Sequence, residues 1–265
     1  AESIYIMNLQ LDQRENTPLV RALDGSDLDE NPFRDLRVRQ AIDHAIDRET
    51  MVDIVLEGLG KPANQMMPPG FFGSSEKIPM PEYNPAKSKK LLADAGYSEG
   101  FEVDLYCTGD RLPGDAAICQ GLGQMLTQVG IRTNVNAISK TVYFPAQARL
   151  DYSMFMNGWG TLTGEASYTL GGLAHSNNPT VKLGAYNRIE YKNSDVDRLL
   201  QTGARMMDAT ARRATYEEAM EKVMEDKAYI SIVQLQTVWG AKAGMLQFTP
   251  RFDEDTLAFF MKSAP

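Results

Sequence analysis

Residues 101–137 constrain the fold more than any other stretch of this chain. Val103, Leu105 and Cys107 alternate with polar neighbours, the period of a half-buried strand. Ile118, Leu122, Met125, Leu126 and Val129 then recur at helical spacing, and Gly130 stops that helix. Ile131, Thr133, Val135 and Ala137 alternate again. Two strands joined by a long helix imply a right-handed parallel crossover. The expected fold class is therefore α/β, with a mixed sheet flanked by helices.

The rest of the chain supplies further elements. Val38, Ala41, Ile42, Ala45 and Ile46 fall at i, i+3, i+4, i+7 and i+8, one buried helical face, and Asp35 is placed to cap it. Arg37 and Arg39 lie towards the polar side and are expected to pair with carboxylates. Asp47 can cap a second helix carrying Met51, Val52, Val55 and Leu56 and ending at Gly58. In YNPAKSKKLLADAGY, Asn84 caps, Pro85 takes the first helical position, Leu91 and Leu92 face inward and Gly96 ends the helix. The prolines and glycines of residues 61–82 predict a long ordered loop. Residues 152–157 read as a strand and 194–208 as a helix with Val196, Leu199 and Leu200 inside. Thr210 is placed to cap another helix, and residues 229–236 form a largely apolar strand.

Composition narrows the function. A net charge of -8 and a pI near 4.9 argue against nucleic-acid binding, which needs a basic footprint. With 265 residues, the chain can form one large domain or two small ones. No apolar run approaches the length of a membrane span. The motifs G-x-S-x-G, H-E-x-x-H and the phosphate loop are all missing, and Pro62 follows the lysine of Gly58-Leu59-Gly60-Lys61. His44 and His175 have no Cys or His at metal-ligand spacing, and both are expected on solvated surface. No catalytic residue, metal ligand or cofactor is expected. Cys107 should end a strand and Cys119 should begin a helix. An oxidising compartment would permit a bond between them, but two separate buried thiols are the favoured reading.

The candidate ligand residues lie in two places, with the loop Thr108 to Arg111, after the first strand of the crossover, as a further segment able to face the same cleft. The first is MFMNGWGTLTGE: Asn157, Gly158, Trp159, Gly160, Thr161, Leu162 and Glu165. An aromatic plate at the C-terminal end of an α/β strand stands where ligands bind such sheets, and flanking glycines let backbone groups approach a ligand. Trp159 as a plain core residue is the competing reading. The second place is Tyr186 and Asn187, where the asparagine serves equally well as a staple between loop backbones.

The stretch NPFRDLRVRQAIDHAIDR, residues 31–48, resembles a signature of the family 5 extracellular solute-binding proteins. These are the dipeptide, oligopeptide and nickel receptors of bacterial ABC importers. The segment with Asn84 and Pro85 also fits the family, with Ser88 replacing its usual alanine, and the Gly-Trp pair resembles its cleft-lining segment. The resemblance covers almost the whole chain but only the family's C-terminal half. It implies the second lobe of a two-lobe periplasmic binding protein. Residues 1–11 would be a hinge strand from the first lobe, 12–237 the ligand-binding lobe, and 238–265 a return segment. The family's N-terminal half and export signal would precede Ala1.

The implied function is capture of a peptide or other small polar solute, including a saccharide, between two lobes in the periplasm. Delivery would follow to the transmembrane permease subunits of an ABC importer, with no enzyme chemistry. A carboxylate-dependent hydrolase such as a glycoside hydrolase, and a protein-interaction module without a small ligand, stand as alternatives. One departure bears on ligand class. Peptide-binding members commonly carry Asp three residues after the Trp, to meet the peptide's ammonium; here that position is Leu162. Peptides with a free amine are therefore expected to be poor ligands.

Overall fold

The computed structural model describes residues 1–251 and 253–263. In chain order its strands and helices are β1 (Glu2–Leu11), β2 (Val20–Arg21), α1 (Leu36–Ala45), α2 (Arg48–Thr50), β3 (Gly60–Pro62), α3 (Pro85–Asp94), β4 (Phe101–Thr108), α4 (Asp115–Gln128), β5 (Ile131–Ile138), α5 (Lys140–Ala148), β6 (Met154–Gly160), α6 (Ala166–Leu173), α7 (Ser194–Gly203), α8 (Ala209–Asp226), β7 (Tyr229–Gln236), β8 (Leu246–Phe248) and β9 (Met261–Ser263). The β4-α4-β5 unit is present, and β5 pairs in parallel along the whole of β4, from Phe101↔Ile131 to Thr108↔Ile138.

Seven strands form one mixed sheet. With β5 on one edge of β4, the opposite edge is shared: β2 meets Glu102 and Val103, and β6 meets Leu105 and Tyr106. Next come β1, β7 and β3, each antiparallel to its neighbour. The pleat sorts side chains into two cores. Met154 and Met156 join Leu9, Leu11, Ile42, Leu105, Ile118 and Leu122 on the face covered by α1 and α4. Phe155 joins Tyr143, Leu170, Leu199, Tyr216 and Val223 on the face covered by α5 to α8. At roughly 1.5–3 kcal/mol per large apolar side chain, these cores supply most of the drive to fold.

The expected caps hold the helices on that sheet. Asp35 accepts from Arg37 N at 2.8 Å, Asp47 from Thr50 N at 3.0 Å and Asn84 from Lys87 N at 2.9 Å. Ser88 is buried and donates to Ala41 O at 2.7 Å, tying α3 to α1 where an alanine could not. After α2 the chain continues in one wide turn, Met51–Val55, before Gly58 turns it at φ +79°.

Several expectations are corrected. The bond between Cys107 and Cys119 is formed; their Cα atoms lie 6.5 Å apart because α4 crosses directly over the end of β4. Arg39 is buried and donates to the backbone carbonyls of Asp226 and Phe33, both at 2.7 Å, instead of pairing with a carboxylate. His175 is 1% exposed, because the Asn187 loop folds over it. Helix α7 stops at Gly203, and α8 is capped by Asp208, which accepts from Ala211 N at 2.8 Å; Thr210 lies inside the first turn. Strand β6 runs on through Gly160, because Tyr5, Ile6 and Met7 of β1 pair with Gly160, Trp159 and Gly158. Strand β1 lies between β6 and β7, and β8 and β9 pair with each other.

Candidate functional site

The site is built where β6 outruns β4. Pairing with β4 ends at Phe155, so the β4-facing edge of Asn157 and Gly158 is free for a side chain. Arg111, in the loop between β4 and α4, fills it. Its Nη1 donates to Asn157 Oδ1 and to Gly158 O, both at 2.8 Å. Its guanidinium lies 5.8 Å from the Tyr5 ring centroid and 5.3 Å from that of Phe144, within cation–π range of both. Gly158 suits this packing: a Cβ there would meet the ends of the Leu112 and Met7 side chains, within 2.8 Å of Met7 Sδ, and both would have to shift.

The loop carrying Arg111 is held at both ends. The Cys107–Cys119 bond closes its base. Inside it, buried Asp115 accepts from Thr108 Oγ1 at 2.7 Å and from the amides of Arg111 and Leu112, both at 3.2 Å, without a cationic partner among the described residues. Charge-assisted bonds of this kind fix the loop backbone, so Arg111 leaves it from a set position. Neighbouring Asp110 turns away to α5: the Lys140 amide, followed by the Ser139 hydroxyl, holds its carboxyl below the usual range.

Trp159 follows two residues after Asn157 on the same face of β6, roughly 7 Å along the strand. Its ring lies 5.4 Å from Tyr168 and 5.3 Å from Tyr186, forming an aromatic group over Gly172 of α6, where a Cβ would just touch the indole. The indole N–H is buried, and among the described residues it has no hydrogen-bond partner. Burial lifts the Tyr168 phenol above the ordinary tyrosine value, with Tyr186 and Tyr5 adding to it. Tyr186 is 54% exposed and forms the outer wall.

The sequence-predicted residues thus divide. Asn157, Gly158, Trp159, Gly160 and Tyr186 come together at the strand end. Thr161 lies under it, fully buried, its hydroxyl 3.0 Å from that of Thr169. Leu162 points outward and is 63% exposed. Glu165 forms an ion pair with Arg212 of α8. Asn187 is buried as a staple: its Nδ2 donates to His175 O at 3.0 Å and Tyr191 O at 2.8 Å, while its Oδ1 accepts from Tyr191 N at 3.1 Å. Arg111 joins the residues at the strand end from the loop between β4 and α4, although sequence reasoning picked out only its loop and gave the residue no part of its own.

Residues 3–180 match the family described as bacterial extracellular solute-binding proteins, family 5 Middle. The glutathione-binding protein GsiB of Escherichia coli (strain K12) is 30% identical over 211 residues, 77% of this chain and 40% of that protein. Among solved structures, the chain resembles the periplasmic binding protein DppA from Helicobacter pylori in complex with peptide STSA, with TM-score 0.74, 23% identity, and coverage of 87% of this chain and 41% of that one. It also resembles HbpA2 from Haemophilus parasuis, with TM-score 0.79, 19% identity, and coverage of 99% and 49%. At those identities the structural likeness speaks to the fold. The chain spans less than half the length of each of these proteins.

Proposed function

The chain belongs to family 5 of the bacterial extracellular solute-binding proteins, and on that premise we propose that it is the ligand-binding lobe of the substrate-binding component of an ABC importer. The complete receptor captures a peptide or other small polar solute between two lobes and delivers it to the permease's transmembrane subunits. The observation that carries this reading is the strand-end site: a positioned guanidinium and an unpaired indole N–H beside aromatic plates, at the carboxyl ends of β4 and β6. Arg111, Asn157, Trp159 and Tyr186 meet the solute, while Thr161 and Asn187 brace the segments that carry them. The work is capture and release, with no bond chemistry.

Further observations support the two-lobe reading. The first residues of β1 run beside the end of β7: Ala1 N donates to Thr237 O at 2.8 Å and Thr237 N to Ala1 O at 2.9 Å. Two adjacent strands leaving one end of a sheet form the kind of short connection about which lobes close. A disulfide suits the periplasm, where such bonds persist. Among the described residues, no helix is long and apolar enough to cross a membrane.

The test is calorimetry with peptide and saccharide panels on this chain and on a full-length receptor that contains it, with mass spectrometry of solute released from the latter. A defined small solute, bound more weakly by the single lobe because only one of its faces is buried, is the expected result. Conversion of a probe to product would establish an enzyme instead. No saturable binding by either protein would remove the receptor reading.

A further inference from the structure

The sheet ends on two unlike edges. On one side β3 is three residues long and carries Lys61 and Pro62, a charge and a missing donor that discourage further pairing. On the other side β5 runs for eight residues with no proline, lysine or bulge. Among the described residues, only β4 pairs with it. The register settles which backbone groups look outward. Phe101 N donates to Gly130 O and Gly109 N to Ile138 O, so the even-numbered residues of β5 turn their N–H and C=O to β4 and the odd-numbered ones turn theirs away. Two threonines satisfy the start of this edge: Thr127 Oγ1 accepts from Thr133 N at 3.2 Å, and Thr133 Oγ1 donates to Ile131 O at 2.9 Å. Beyond them, Thr133 C=O and the N–H and C=O of both Val135 and Ala137 have no partner among the described residues.

The surface around this edge is short of charge. With a net charge of -8, two copies of the chain repel each other over most of their faces. Residues 116–139 hold a single charged side chain, Arg132, and it is paired with Glu102 of β4. The nearest carboxylates, Glu102 and Asp104, lie one strand inward, where Asn134 Nδ2 donates to each at 3.0 Å. Helix α4 lies directly over β5: a Cβ on Gly123 would come within 2.4 Å of Val135 Cγ2. The exposed residues of α4, Ala117, Gln120, Gln124, Thr127 and Gln128, are all neutral.

We propose that β5 is the contact edge of a homodimer, in which a second copy of this chain lays its own β5 antiparallel to this one about a two-fold axis through Val135. The free groups are centred on that residue and set the register. Each Val135 N–H donates to the partner's Val135 O, and each Ala137 N–H to the partner's Thr133 O. Asn134 then faces the partner's Asn136, and Arg132 faces the partner's Ile138, so no like charges are opposed. Both α4 helices fall on one face of the joined sheet and bring neutral surface together. A lone peptide would use the strand but leave that flank of α4 uncovered; a second copy covers both. The contact is self-complementary and the β3 edge is blunted, so the assembly closes as a dimer.

Sedimentation velocity on this chain over a hundredfold range of concentration tests the proposal, with the mass expected to rise from one chain to two. Asn134→Lys combined with Asn136→Lys sets like charges across the joint and should weaken the dimer at least tenfold, with the circular dichroism spectrum unchanged. Ala137→Pro removes an outward N–H, leaves the ladder to β4 intact and should do the same. A mixture of Asn134→Cys and Asn136→Cys proteins should give disulfide-linked pairs on mild oxidation, well above the yield from either protein alone. Amide hydrogen exchange on the unsubstituted protein needs no variant to fold: Val135 and Ala137 should exchange more slowly as concentration rises. A chain that stays monomeric with both amides exchanging fast would overturn the proposal. So would a dimer that survives the substitutions, or protection of this edge in a monomeric full-length receptor.

Discussion

Replacing both cysteines with alanine tests how the Arg111 loop is held. Cys107 and Cys119 are fully buried and separated by 12 residues. Releasing a loop of that length returns chain entropy to the unfolded state worth about 3 kcal/mol. The lost sulfur packing adds to this, because neither alanine refills the space between β4 and α4. For a chain of this size each kcal/mol moves the melting point by about 2–4 °C. The double variant should therefore melt roughly 6–12 °C lower, or show a urea stability lower by about 3 kcal/mol with an unchanged slope. Urea titration followed by circular dichroism, run in parallel on oxidised and pre-reduced protein, measures the loss. Reduced wild-type protein should fall most of the way to the variant. A double variant within about 1 kcal/mol of wild type, or a wild type indifferent to reduction, would show that the bond does not constrain this loop.

The buried pair of Asp43 and Arg48, with half-buried Lys227 beside it, sets a pH limit. Burial pushes the Asp43 carboxyl up, but Arg48 and Lys227 outweigh it and hold it below 3.8. A depressed carboxyl contributes stability that is present above its unfolded value and lost as pH falls through the folded one. Urea stability should thus decline below about pH 4, and Asp43→Asn should cost about 3–5 kcal/mol at pH 7 by leaving Arg48 buried without its counter-charge; a loss under 1 kcal/mol would show the cluster to be hydrated. Gly100→Ala should destabilise by roughly 2–5 kcal/mol in the same assay, since φ is +83° and the new Cβ would strike Gly130 O; a neutral result would mean that this turn rearranges freely.

The sheet and most helices were legible because their signals are local. Alternation at Val103, Leu105 and Cys107 and the caps at Asp35, Asp47 and Asn84 each need only neighbouring residues. What stayed hidden depends on residues distant in sequence. Gly158 to Gly160 read as the start of a loop, and only pairing with Tyr5 to Met7 makes them strand. Arg39 was expected to pair with a carboxylate on the polar side of its helix, yet the end of α8 closes over it, 187 residues away. Whether two cysteines bond depends on how α4 crosses β4, which spacing alone leaves open. The Gly-Trp signal placed Trp159 at the end of a strand, and that is where the fold puts it. Arg111 was harder to assign, because its role comes from where β4 stops pairing with β6. Glu165 looked free until the fold placed Arg212 beside it.

The account's central claim is that a small solute binds at the end of β6. The two indole N–H signals of a ¹⁵N-labelled sample test this most directly. Trp239 donates to Thr256 Oγ1 at 3.0 Å, whereas the Trp159 N–H has no partner among the described residues. Titration with a panel of peptides, acetylated peptides, organic acids and saccharides should move the Trp159 signal saturably and downfield for at least one probe, as its proton gains an acceptor, and leave Trp239 in place. The shift should vanish in Arg111→Gln for a carboxylate-bearing probe. A panel that leaves Trp159 unmoved, or binding that shifts resonances only on another face of the protein, would contradict the claim.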